Sequence, residues 1–203
     1  MFNLFQKHKR NKEIIQVFID LVEGRIPLDI FWEKYAKEAD VVSFLDKTYN
    51  KKIRGLFRKE EWLSYDINYF FDRARIKSSV SSFLRIKKIK HSLVDKDVDY
   101  VNGLFNSLPE WVDWLPIEYM HNLYLQAPPQ FTDLQKMGWF TSEIIRLFRY
   151  KDSPPEWLQR GEWPIIDEKP CLFLYQEDEI GRTIYYFSSD DSENNIIEIE
   201  QFE

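Results

Sequence analysis

Three histidines, a single cysteine and a surplus of carboxylates are the side chains of this chain that could do chemistry. His8, His91 and His121 never stand at i, i+4 or another ligand spacing, so no helix presents a metal-binding pair. No metal site and no cofactor is expected. Cys171 lies between Pro170 and Leu172 in an apolar run, where burial raises a thiol pKa and leaves it inert. A G-x-S-x-G elbow, a phosphate-binding glycine loop and a dinucleotide fingerprint are all missing, in keeping with only 6 Gly. Carboxylates are plentiful, but count alone does not reveal an acid/base pair. The chain therefore reads as a non-enzyme. An enzyme of unrecognised type would draw on Glu162 or Asp167 beside Trp163.

Charge carries more information. The net charge is −6, yet Lys151–Glu203 alone holds 4 basic and 14 acidic residues. Lys51–Lys90 has the opposite bias, with 12 basic and 4 acidic residues. Such asymmetry points towards charged partners or towards solvated faces. Arg73, Arg75, Lys77, Arg85, Lys87, Lys88 and Lys90, near several aromatics, could track phosphates. A nucleic-acid binder is usually basic throughout, whereas the pI here is about 5.3. The acidic third offers another surface, with Glu177, Asp178 and Glu179 in one polar turn and Asp190, Asp191 and Glu193 in a second.

The elements that must position these groups follow from periodicity. Asn11 is placed to cap a helix bearing Ile14, Val17, Phe18 and Leu21, with Gly24 as its stop. Pro27 suits the start of a second helix, and Asp40 the cap of a short one holding Val41, Phe44 and Leu45. Asp66 to about Lys90 is a longer helical stretch, which Ser78, Ser79, Ser81 and Ser82 could divide. Val98, Val101, Leu104 and Phe105 form another stripe, and Pro116 opens a helix to Gln126. Thr132 and Gln135 have capping-box spacing, ahead of Leu134, Met137, Thr141, Ile144 and Phe148.

After Tyr150 the pattern changes. Pro154, Pro155, Pro164 and Pro170 mark a stiff connector. Cys171–Tyr175, apolar on both faces, reads as an inner strand, and Thr183–Phe187 as a second strand. Ile196–Phe202 alternates, with Ile197 and Ile199 on one face and Glu198 and Glu200 on the other. Gln176–Gly181 and Ser188–Asn195 read as turns. The fold class is thus α+β: a mainly helical body over 1–150, then a C-terminal antiparallel sheet of three or four strands within 151–203. With no Gly/Ser linker, residues 1–203 are expected to form a single compact domain. Trp111, Trp114, Trp157 and Trp163 fall in Pro-rich connectors, either as lids on the core or as binding anchors.

Pro154-Pro155-Glu156-Trp157-Leu158-Gln159, then Glu162-Trp163-Pro164, Lys169-Pro170, Phe173 and Gln176, resembles a segment of small uncharacterised bacterial proteins. Some of those are thought to be immunity proteins of polymorphic or contact-dependent toxin systems. The resemblance implies a cytoplasmic binding protein that inactivates a cognate toxin. It fixes no contact residue. The cytoplasm is also the default for a chain with one thiol, no apolar run long enough to span a membrane, and basic residues that follow rather than precede its first apolar ones.

These readings converge on a non-enzymatic module that binds a protein partner, such as a basic toxin domain. Its expected contacts are Glu177, Asp178, Glu179, Tyr185, Asp190, Asp191 and Glu193, with Tyr186 nearby. Oppositely charged surfaces speed association. The alternatives are a nucleic-acid-associated protein using Lys51–Lys90, and the enzyme of unrecognised type.

Overall fold

The computed structural model describes residues 2–42, 62, 64–189 and 195–203, with side chains from residue 9 onward. Phe44, Leu45, Asp190, Asp191 and Glu193 lie outside the described residues, as does the start of the basic stretch. The described chain is α+β, with seven helical elements followed by a three-stranded antiparallel sheet and a small two-stranded hairpin. It divides into two compact units, Met1–Val101 and Asn102–Glu203. The Pro-rich connector belongs to the same unit as the sheet and the two helices before it.

In the first unit, α1 (Phe2–Val22) is followed by α2 (Leu28–Phe31), a π-helical turn (Trp32–Ala36), α3 (Phe70–Ile86) and the start of α4 (Lys96–Asn106). The stripe Ile14, Phe18, Leu21 and Val22 is buried, and Gly24 at φ 73° ends the helix in a conformation that costs a glycine little. Asn11 is inside α1, not at its cap. The charged residues upstream are good helix formers, so the helix continues past it. Phe18 meets Phe31 and Phe83 edge-on, at centroid separations of 6.2 and 5.6 Å. Trp62 donates its indole N–H to the Ala36 carbonyl at 3.1 Å, satisfying a group that the π-turn leaves open.

The serines do not divide α3. Ser79 and Ser81 are buried, and the Ser81 hydroxyl lies 2.8 Å from His91 Nε2. His91 Nδ1 is 2.9 Å from the Ile89 carbonyl, which can only accept. Nδ1 therefore carries a proton, and in the neutral imidazole Nε2 accepts from Ser81. Asp95 caps α4 by accepting from the amides of Asp97 and Val98, at 3.0 and 3.1 Å.

The second unit holds α5 (Ile117–Leu125) and α6 (Asp133–Leu147), then β1 (Ile165–Ile166), β2 (Lys169–Pro170), β3 (Leu172–Glu179), β4 (Arg182–Ser188) and β5 (Ile196–Phe202). The Thr132–Gln135 capping box is present at the start of α6. The buried stripe of α6 starts a turn later than the sequence suggests: Phe140 and Ile144 are buried, whereas Leu134 is 84 % exposed. The sheet order is β3-β4-β5. The central strand is β4, and Cys171 precedes β3, which corrects the reading of Cys171–Tyr175 as an inner strand. Its apolar character on both faces has another cause. A register shift between Phe173 and Tyr175 lets Phe173 and Leu174 both be buried, and residues 149–151 bond to Phe173 along its free edge.

Candidate functional site

Cross-strand pairing decides which side chains share a face. Tyr175, Tyr186 and Glu198 form one row across the three strands; Glu177, Ile184 and Glu200 form the next; Glu179, Arg182 and Phe202 form the third. This outer face carries four glutamates among exposed apolar groups, Tyr175 at 50 % and Phe202 at 54 % exposure. The opposite face carries Phe173, Thr183, Tyr185, Phe187 and Gln201, all buried.

Trp157 and Trp163 cover that inner face. Trp163 lies edge-on to Phe187 at 5.3 Å and to Phe148 at 5.4 Å, and its indole donates to the Cys171 carbonyl at 2.8 Å. Trp157 sits 4.6 Å from the Tyr185 ring and donates to the Trp111 carbonyl at 2.9 Å. Trp114, half-buried, stacks under the Arg160 guanidinium at 3.9 Å. These rings act as lids on the core.

The outer face is ordered by its own contacts. Tyr186 donates to Glu177 Oε2 at 3.0 Å. That bond, with burial and the Glu177 charge behind it, pushes the Tyr186 pKa up to about 12. Arg182 binds Glu179 at 2.7 Å and reaches Glu200 at 3.6 Å, and the hydrogen bond from Arg182 holds the Glu179 carboxyl below its usual range. The Tyr186 hydroxyl that binds Glu177 is a neutral donor and not a cation.

The expected contact residues separate on this geometry. Glu177 and Glu179 are exposed on the outer face, although they stand on β3 and not in a turn. The strand runs on to Glu179, and the turn shrinks to Ile180 and Gly181. Asp178 pairs across the sheet with Thr183, whose hydroxyl donates to it at 2.9 Å, so it belongs to the other side. Tyr185 is fully buried. Its hydroxyl accepts from the Leu158 amide at 2.6 Å and donates to the Glu156 carbonyl at 2.9 Å, so it is a core group and not a surface contact. Tyr175, Glu198, Glu200 and Phe202 were missed as site residues. The alternation of Ile196–Phe202 was a signal for Glu198 and Glu200; nothing local tied them to Tyr175 or Glu177.

Burial raises the Cys171 thiol pKa and lowers that of His121. Among the described residues, no three His, Cys, Asp or Glu side chains come together as a metal cage. Glu162 and Asp167 are both exposed, Asp167 in the tight turn between β1 and β2, where it and Glu168 have positive φ. A cleft of about 460 Å³ is lined by α5, α6 and that turn, including Tyr119, Asn122, Glu143, Arg146 and Glu168. Burial, aided by the Glu168 charge, pushes the Tyr119 pKa up to about 12, and Arg146 is held by Glu143 at 2.6 Å. In the basic stretch, Arg73 binds Asp97 at 2.6 and 3.1 Å and Lys77 binds Asp95, so two of its cations are neutralised internally. Lys87 lies over the Phe83 ring at 5.8 Å, and Lys88 and Lys90 are exposed.

No described helix is long and apolar enough to cross a membrane. Comparison with protein-family models, curated proteins and solved structures finds no match to the chain.

Proposed function

We propose that the chain is a protein-binding module whose outer sheet face receives a basic partner in the cytoplasm. One observation carries this reading: Glu177, Glu179, Glu198 and Glu200 from two strands share one exposed face with Tyr175, Tyr186 and Phe202. The face is net negative, four glutamates against Arg182, so it steers an oppositely charged partner, and exposed aromatics supply contact area at low entropy cost. The face has no nucleophile, base and oxyanion donors set for reaction, and binding is what its chemistry supports. The resemblance around Pro154–Gln176 supports the more specific form, in which the partner is a toxin domain and the module neutralises it.

The test begins with the product of the adjacent gene. Co-expression should rescue growth from it if it is a toxin. Charge reversal at Glu177 and Glu198 should slow association on the order of tenfold and flatten its salt dependence. Glu179 and Glu200 are left alone because Arg182 holds them. Unchanged association kinetics in the double variant would reject this face as the binding surface. An adjacent product that neither binds nor harms the cell would reject the immunity form.

A further inference from the structure

The pairing register of β5 settles where its backbone groups point. The Ser189 amide donates to the Asn195 carbonyl at 3.2 Å, and the Glu203 amide to the Gly181 carbonyl at 3.1 Å. In an antiparallel pair, residues that exchange backbone bonds alternate with residues that do not. Residues 197, 199 and 201 therefore bond to β4, opposite Phe187, Tyr185 and Thr183. The N–H and C=O groups of Ile196, Glu198, Glu200 and Phe202 point away from β4. The Phe202 carbonyl is taken by the Gln159 side chain, as this alternation requires. Among the described residues, the outward groups of Ile196, Glu198 and Glu200 have no hydrogen-bond partner.

An edge of this kind is a template for another strand. Natural edges are blunted by proline, bulges or inward charges. The pairing of β5 is regular from Ile196 to Phe202, with no bulge and no proline. Its protection is the acidic pair Glu198 and Glu200, both exposed. Two such edges would repel each other, since like charges directly opposite across strands destabilise a pair. The same charges favour a strand that brings cations. On the other side of the strand, Ile197 and Ile199 are only half-buried and would gain cover from apolar neighbours.

We propose that β5 is the docking edge for an extended segment of the protein partner, with Lys or Arg alternating with apolar residues. The added strand would place its cations opposite Glu198 and Glu200 on the outer face. Its apolar residues would lie beside Ile197 and Ile199. Main-chain bonds to the outward groups of Glu198 and Glu200 would fix its register. The inference rests on the binding reading above and adds the mode of binding to it.

Two synthetic peptides serve as probes: acetyl-Thr-Lys-Val-Lys-Val-Lys amide and the same peptide with Glu for Lys. The full chain is titrated with each and followed by amide hydrogen exchange and chemical shifts. The basic peptide should slow exchange at Glu198 and Glu200, leave Ile197 and Ile199 unchanged, and outbind the acidic peptide. Glu198→Pro removes an outward N–H that β4 does not use, a position where an edge strand tolerates proline. The substitution also removes a carboxylate, so it is read against Glu198→Gln: the proline variant should bind about tenfold more weakly than the glutamine one, roughly what loss of one hydrogen bond gives. Should the proline variant not fold, the exchange pattern of the unmodified chain still decides.

Peptide shifts confined to Tyr175 and Tyr186, with Glu198 and Glu200 exchange unaltered, would overturn the edge while leaving the face reading intact. Failure of the basic peptide to bind, or equal binding of both peptides, would also overturn it. A dimer of the chain with these amides protected before peptide is added would assign the edge to a second copy instead. The charge reversals at Glu177 and Glu198 with the natural partner judge the broader reading separately.

Discussion

The rings of Tyr175 and Tyr186 stack across β3 and β4 with centroids 4.5 Å apart and planes inclined by 21°. Tyr186 is tied in turn to Glu177, so an aromatic pair and a carboxylate form one exposed group at the centre of the outer face. The neighbouring Tyr185 faces the other way and is wholly enclosed. Adjacent tyrosines on one strand thus belong to surface and core.

The bond from Tyr186 to Glu177 is visible by titration. In ultraviolet absorbance Tyr119 and Tyr186 should both ionise at about 12, and Glu177→Gln should move Tyr186 alone back towards 10. The folded pKa is raised above its unfolded value. The associated stability is therefore full below pH 10 and is lost as pH rises through about 12. A titration unaltered by Glu177→Gln would show that the carboxylate does not hold the hydroxyl.

Tyr185→Phe removes the hydroxyl that receives the Leu158 amide and binds the Glu156 carbonyl. It should cost about 1–3 kcal/mol in denaturant unfolding, because buried partners are left unmet. Partner association rates should not change. A binding defect without a stability loss would restore Tyr185 as a contact.

Gly161 is enclosed: an added Cβ would lie 2.7 Å from the Val112 carbonyl and 3.0 Å from the Trp157 indole nitrogen. Its amide donates to Asp113 at 2.7 Å. Gly161→Ala should therefore displace Trp157 and destabilise the second unit by about 1–3 kcal/mol. Trp fluorescence and thermal melting would report both effects, and an unchanged melt would mean the loop yields freely.

Ser81 and Ser78 share a helix but should respond in opposite directions. Ser81→Ala removes the donor to His91 and should cost about 1 kcal/mol. Ser78→Ala, at a half-buried position, should gain up to about 0.5 kcal/mol from helix propensity alone. Equilibrium unfolding of the two variants gives the comparison directly, and equal effects would reject the role of the Ser81–His91 bond.

Local chemistry was legible in the sequence where a few neighbouring residues settle the outcome. Thr132 and Gln135 close their capping box within one turn, and Gly24 ends α1 because its own φ is positive. The alternation of Ile197 and Ile199 with Glu198 and Glu200 announced a half-covered strand. The change from helical to alternating period after Pro170 gave the fold class. Sheet order and facing were decided elsewhere. β4 is central because it pairs on both sides, while residues 149–151 bind β3 and let its apolar start look like an inner strand. Gln176–Glu179 extends β3 although its residues are polar, because Ile184, Thr183 and Arg182 pair with it from β4. Glu177 and Glu200 share a face only because both lie opposite Ile184. Side-chain period can be read along a single strand, but register is set by hydrogen bonds between segments far apart in the chain. The sequence therefore determined the elements and their charge, and the tertiary structure alone decided which acids and aromatics meet on one surface.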